Sequence, residues 1–299
     1  MGSADSQGVS ASNDAMGDSF PGEAARHLPV TLLAVALLVP YLQLLWMHWF
    51  SASSHAMASL LALAAAITIG WLQRPTALAN PRRVGLALAL VALCTLAYAL
   101  SLTVLTRRTL VGVTATGIIA CLWYLRYGAQ GLKAFKFPLL LALLAVPFPG
   151  RLLNIVGYHL VDLASSLGTT VLSWLVAGVT REGSVILIAG HGAVEVVADC
   201  NGLAGVLMFL PIAVTVIYFQ PQLSTLAKAV IVALAVPLAL FGNLLRVVAT
   251  GLLQVHYADL NRSEAFHQVV GFVALGLALL VLIGLPRFAG PLKKAEAMP

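Results

Sequence analysis

Apolar residues run almost uninterrupted for stretches that approach the length of a bilayer crossing, and they do so about eight times. The runs are approximately Leu28–Phe50, His55–Leu72, Val84–Leu105, Leu110–Leu125, Phe137–Phe148, Gly202–Phe219, Lys228–Leu253 and Phe266–Leu285. About 20 such residues carry a helix across the hydrocarbon core, and the fifth run is short for that. Backbone amides find no water inside a bilayer, so these runs must fold as helices. Composition agrees: 60% of the 299 residues are hydrophobic and 9% are charged, against roughly 45–50% and 25% in soluble domains. A water-soluble enzyme is excluded. The expected fold is an all-α polytopic membrane protein with about eight transmembrane helices, an interfacial amphipathic helix and a small extracytoplasmic β-hairpin.

The net charge of +6 belongs to loops and does not point to nucleic acid, because the basic residues cluster between the apolar runs as they do in cytoplasmic loops. With the N-terminus inside, Arg26, Arg74, Arg82, Arg83, Arg126, Lys133, Lys136, Lys228, Arg287, Lys293 and Lys294 fall on the cytoplasmic side. Arg107, Arg108, Arg151, Arg181 and Arg262 fall on the other, and Arg246 lies within a span. The bias places both termini in the cytoplasm. Residues 1–25 are polar, lack the apolar core of a signal peptide and read as a disordered cytoplasmic tail. Residues 26–290 form one transmembrane domain, and 291–299 a basic cytoplasmic tail.

Between the fifth and sixth runs lies a stretch that breaks the pattern. Over Leu152–Val179, His159, Asp162, Ser166, Thr169 or Thr170 and Ser173 recur at helical spacing, giving one polar stripe on an apolar helix. Such a helix lies in the outer interface, re-enters the membrane, or spans it as a ninth helix. Ser184–Ala198 is β-branched around Gly190-His191-Gly192 and reads as a hairpin ending at Asp199-Cys200-Asn201-Gly202.

Topology brings three costly residues to one face. Cys200 opens the sixth span at its outer end, Arg246 lies on the order of 10 Å inside the outer end of the seventh, and His267 begins the eighth. Their types are those of a nucleophile, a cation and a base. A thiol attacks as thiolate, which a cation or a helix N-terminus favours. Free N–H groups near Asn201 and Gly202, with Arg246, suit an oxyanion, and a neutral-range imidazole suits proton transfer. Asn243, Arg246 and Thr250 share one helix face, and Gly271 sits one turn from His267. A charge inside a span costs several kcal/mol on most scales, about 3 at the helix centre on translocon scales, so it is kept for a function or a partner.

Taken singly, each residue has a plainer reading. Cys200, like Cys94 and Cys121, can be a small buried hydrophobe; Arg246 can snorkel; His267 can be an interfacial histidine, as His48, His55 and His256 read. Glu195 and Asp199 fall on one face of the hairpin's second strand. His159, His191 and Asp162 lack metal-ligand spacing. The proposed chemistry calls for no cofactor and no metal.

The ordered set of motifs resembles the exosortase/archaeosortase family. Arg181-Glu182-Gly183-Ser184, an apolar hairpin, and Val194-Glu195-Val196-Val197-Ala198-Asp199-Cys200-Asn201-Gly202-Leu203 look like its signature around the catalytic cysteine. Asn243-Leu244-Leu245-Arg246 resembles its N-x-x-R motif, and His267 with Gly271 its H-x-x-x-G. The likeness covers about 138–285. It implies a membrane cysteine transpeptidase that cleaves exported proteins at a C-terminal sorting signal, made of a short Pro-containing motif, a transmembrane helix and a basic tail. It also implies transfer to a lipid or polysaccharide acceptor, with Cys200 as nucleophile, Arg246 as oxyanion or thiolate stabiliser and His267 as acid/base. Asn201 stands where many relatives carry Ser or Thr, which leaves the subfamily and its sorting motif open. The site would face the periplasm or the exterior from the inner membrane. Other classes for this chain are a transporter or channel with Arg246 lining its path and a non-catalytic protein that binds sorting helices; no internal repeat supports the former.

Overall fold

The structure, a computed structural model, describes residues 38–49, 56–73, 83–103, 108–197, 200–261 and 263–288. The two expected tails, 1–25 and 291–299, and Asp199 lie outside the described residues. Helix α1 covers 38–49. It is followed by α2 (Ala56–Leu72), α3 (Val84–Thr103), α4 (Arg108–Ala134), α5 (Lys136–Leu144), α6 (Gly150–Leu175), α7 (Leu203–Tyr218), α8 (Thr225–His256), α9 (Ala258–Asn261) and α10 (Glu264–Phe288). The chain divides at Leu44, and the unit Leu45–Pro299 holds every element from α2 onward.

Among the described residues, α3, α4, α6, α8 and most of α10 are long and apolar enough to cross a membrane, while α2 and α7 are shorter apolar helices. Their outer faces are those of membrane helices. In α3 only Ala87, Tyr98 and Ser101 are buried, and α10 turns Phe272, Leu277 and Leu280 outward. Apolar surface on that scale suits lipid and not water.

The short fifth run has a structural cause. Helix α5 ends at Leu144, and Pro147-Phe148-Pro149 precedes α6; proline removes a donor and pushes the residue before it out of helical geometry. Both pieces nevertheless run antiparallel to α7. The Phe137 ring meets Tyr218 edge-on at 5.5 Å, Leu144 and Leu153 line one small cavity with Leu207, and Gly157 abuts Asn201 and Leu203. So α5 and the first turns of α6 form one broken helix alongside α7. The rest of α6, from Gly157 to Leu175, continues past the start of α7 for about 27 Å.

That overhang carries a small sheet. Strands β1 (Val179–Glu182), β2 (Val185–Ile188) and β3 (Gly192–Glu195) form an antiparallel meander in the order β1-β2-β3. The expected hairpin is the β2–β3 pair, in which Val185 faces Glu195 and Ile188 faces Gly192. The third strand is β1, because α6 stops at Leu175 and does not run on to Val179 as its polar stripe suggested. Val176 is already extended, and Gly178 adopts φ 72. The two-residue turn Gly183-Ser184 joins β1 to β2 with Gly183 at φ 61, the left-handed geometry that such turns require.

The sheet's inner face, Ile186, Val194 and Val196, is buried. Helix α8 backs it. Ser224 caps α8 by accepting the Ala227 N–H at 3.0 Å, and Gln254 near its far end donates to the His191 carbonyl at 2.9 Å. Small residues set the seam between α6 and α8: a side chain on Gly168 would lie 2.6 Å from Val247, and one on Gly251 would lie 2.5 Å from Leu172.

Candidate active site

Five residues after β3 comes Cys200, packed against the sheet's inner face. Cys200 is buried, 6% exposed, among Ala164, Ile186, Val196 and Val247, and its N–H donates to the Val197 carbonyl at 2.8 Å. Its own carbonyl accepts a bond from Asn243 Nδ2 on α8 at 2.7 Å. Asn243 is 4% exposed, so its amide is committed to holding the cysteine strap.

Gly202 makes that approach possible. It has φ 86, and a side chain there would lie 3.1 Å from Asn243 Cβ and 3.2 Å from Leu240. Gly202→Ala is expected to lose about 1–2 kcal/mol from the left-handed backbone alone, and more from crowding Asn243. A fall in the thermal midpoint of the purified protein, with no fall in the control Gly276→Ala, checks this; nothing lies within 4 Å of a side chain at Gly276.

Asn201 makes two bonds through its side chain. Its Oδ1 accepts the Leu203 N–H at 2.8 Å, and its Nδ2 donates to the Gly157 carbonyl at 3.4 Å. It therefore caps α7 and ties α7 to α6. One N–H at this helix start is already taken, leaving that group no part in holding an oxyanion.

Arg246 lies one turn beyond Asn243 on α8. Its guanidinium rests on Gly271 of α10, where an added side chain would lie 2.9 Å from Nε and 3.0 Å from Cζ. Arg246 Nε and Thr250 Oγ1, on the same face, are buried and have no hydrogen-bond partner among the described residues. A buried donor without an acceptor costs about 1–3 kcal/mol, more when charged. His267 is in α10, four residues before Gly271; its side chain lies outside the described part of the molecule. The structure thus joins Cys200, Gly202 and Asn243 directly, and Arg246 to the helix that carries His267. Cys94 in α3 and Cys121 in α4 are partly buried in membrane-type helices. Among the described residues no three His, Cys, Asp or Glu side chains gather as a metal site.

One pair escaped the sequence reading. Arg181 on β1 binds Asp162 on α6, with Nη1 at 2.7 Å from Oδ1, 3.1 Å from the Asp162 carbonyl and 3.1 Å from Ser165 Oγ. Ser165 Oγ in turn donates to the Gly183 carbonyl at 3.3 Å. These bonds latch the β1–β2 turn to α6. No local periodicity announces a partner nineteen residues away; only the small Ala164-x-x-x-Gly168 pattern marks this face of α6 as packed.

The transmembrane exosortase family model matches residues 46–284, most of the chain. The chain belongs to the exosortase family. No curated protein and no solved structure matches it. This exosortase is a multi-pass membrane protein and a cysteine transpeptidase by type, and its substrates are proteins carrying sorting signals. Membership decides for the enzyme over the transporter and the binding protein.

Proposed function

We propose that this exosortase cleaves a C-terminal sorting signal at the outer face of the inner membrane through a thioester on Cys200. The observation that carries the reading is the continuity along α8. Asn243 holds the Cys200 carbonyl, and one turn on, Arg246 sets its guanidinium against Gly271, one turn from His267.

The chemistry follows from those positions. His267 takes the Cys200 proton, and the thiolate sulfur attacks the scissile carbonyl carbon. Arg246, partly buried and with an Nε–H that has no partner among the described residues, stabilises the negative charge that develops on oxygen. Collapse breaks the C–N bond, and the imidazolium returns its proton to the departing amine, which leaves with the sorting helix. An acceptor amine, hydroxyl or water then gives a proton to His267 and its lone pair to the thioester carbonyl. The C–S bond breaks and the thiol is restored. With an amine or hydroxyl the acceptor is a lipid or polysaccharide group; with water the product leaves as the free acid.

The broken helix suits the charge bias. If α5 and the first turns of α6 count as one crossing, eight crossings remain, the termini stay inside, and Lys133 and Lys136 stay cytoplasmic as basic loops prefer. The sheet, Cys200 and the upper turns of α6 then stand at the outer face, where a laterally entering sorting helix ends with its basic tail held inside. The test is co-expression with tagged exported proteins that end in a polar motif, an apolar helix and a basic tail, followed by intact mass. Loss of the tail with a defined added mass is the expected result and identifies the acceptor. Intact substrates in the presence of inserted enzyme would count against the reading.

A further inference from the structure

Thr116 in α4, Thr169 in α6 and Thr215 in α7 each donate to the carbonyl four residues back, at 2.9, 2.7 and 2.8 Å. That bond satisfies a helical hydroxyl where water cannot. Thr250 in α8 departs from this habit. It is 4% exposed, yet its Oγ1 bonds neither the Arg246 carbonyl nor any other described residue. One turn away on the same face, Arg246 Nε is buried and equally without a partner among the described residues. A guanidinium nitrogen only donates, so what Arg246 Nε lacks is an acceptor. Two buried donors left open on adjacent turns of one helix point to an acceptor that arrives from outside the chain.

Their place is beside the nucleophile. At about 100° per residue, Thr250 lies between Arg246 and Val247 around the α8 axis, about 40° from the first and about 60° from the second. Val247 packs in one cluster with Cys200. Gly242 meets Ala278 and Arg246 meets Gly271, so α8 and α10 run antiparallel and the next turn sets Thr250 level with position 267. Thr250 thus occupies the sector between the strap that bears the cysteine and the helix that bears the histidine. We infer that Thr250 Oγ1–H and Arg246 Nε–H form a two-donor oxyanion site, which makes Thr250 a further catalytic residue. The inference rests on the transpeptidase reading above and supplies a second donor in place of the Leu203 N–H, which is bonded to Asn201. As the Cys200 sulfur adds to the scissile carbon, the carbonyl π pair moves onto oxygen and the two donors take up its charge. On collapse the pair returns and the C–N bond breaks.

The test follows single-turnover cleavage of a tagged exported protein that ends in a polar motif, an apolar helix and a basic tail. The full-length enzyme is compared with Thr250→Val, Thr250→Ala and Thr250→Ser. Loss of one oxyanion donor costs about 10²–10³-fold in rate, and the loss falls on the transition state and not on substrate binding. Thr250→Val and Thr250→Ala are therefore expected to cleave about 10²-fold more slowly, with the half-saturating substrate concentration within about threefold and the thermal midpoint retained. Thr250→Ser keeps the hydroxyl and should stay within about tenfold of wild type. The pH dependence of the rate should keep its position in all three. Rates of Thr250→Val and Thr250→Ala close to wild type would overturn the second donor and leave the transpeptidase reading standing. A slow rate that serine does not restore, or one that comes with a fall in thermal midpoint, would make Thr250 structural and overturn the assignment. A shifted pH profile would mean that the hydroxyl acts through an ionising group, which also overturns it. Absence of cleavage by inserted wild-type enzyme would overturn the reading and the inference together.

Discussion

Cys200→Ala is expected to abolish removal of the sorting signal, by about 10⁴-fold or more, as removal of a covalent nucleophile does in other acyl-transfer enzymes. Its substrate should accumulate with the tail attached. The structure separates this loss from misfolding. The Cys200 side chain sits in a small apolar cluster, but the bond that fixes the strap is made by its backbone carbonyl to Asn243, and alanine keeps that carbonyl. The variant should therefore insert, purify and melt much like wild type. Equal processing by wild type and Cys200→Ala would remove Cys200 from the chemistry.

Gly271→Ala is expected to cost about 10²-fold in turnover, the scale associated with ångström misplacement of a reacting group. Its Cβ would lie 2.9 Å from Arg246 Nε. The obstructed atoms belong to the far end of a flexible side chain, so the guanidinium moves and the helix does not. Alanine is also the better helix former by about 1 kcal/mol, so the thermal midpoint should hold while activity falls. Gly276→Ala, on the same helix with nothing near its added methyl, should retain full activity. Unchanged turnover in Gly271→Ala would mean that the position of the cation does not matter to the reaction.

The parts of this architecture legible in the sequence were those written locally. Apolar runs gave the helices, and Gly190 with the β-branched residues around it gave the β2–β3 hairpin. What eluded sequence reading depended on contacts between distant residues. The polar stripe of α6 gave no sign of where the helix ends, because β1 owes its place to Arg181 reaching Asp162 and to Ser165 reaching Gly183. The shortness of the fifth run was legible, yet only the packing against Tyr218, Leu207 and Leu203 reveals that both pieces follow α7. At the site, residue types named Cys200, Arg246 and His267 as candidates. The capping role of Asn201 and the seat of Arg246 on Gly271 needed the folded chain.

The seat of Arg246 bears on how the protein is made. Helices enter a membrane from the N-terminus onward, and α8 emerges before α10. Until α10 arrives, α8 carries a cation that lacks its contact with Gly271, and a charge inside a span is costly. A nascent chain can already hold Cys200 through Asn243, yet its guanidinium has no glycine to rest on. The enzyme is thus put together in an order that leaves Arg246 without its seat until the last described helix has been inserted.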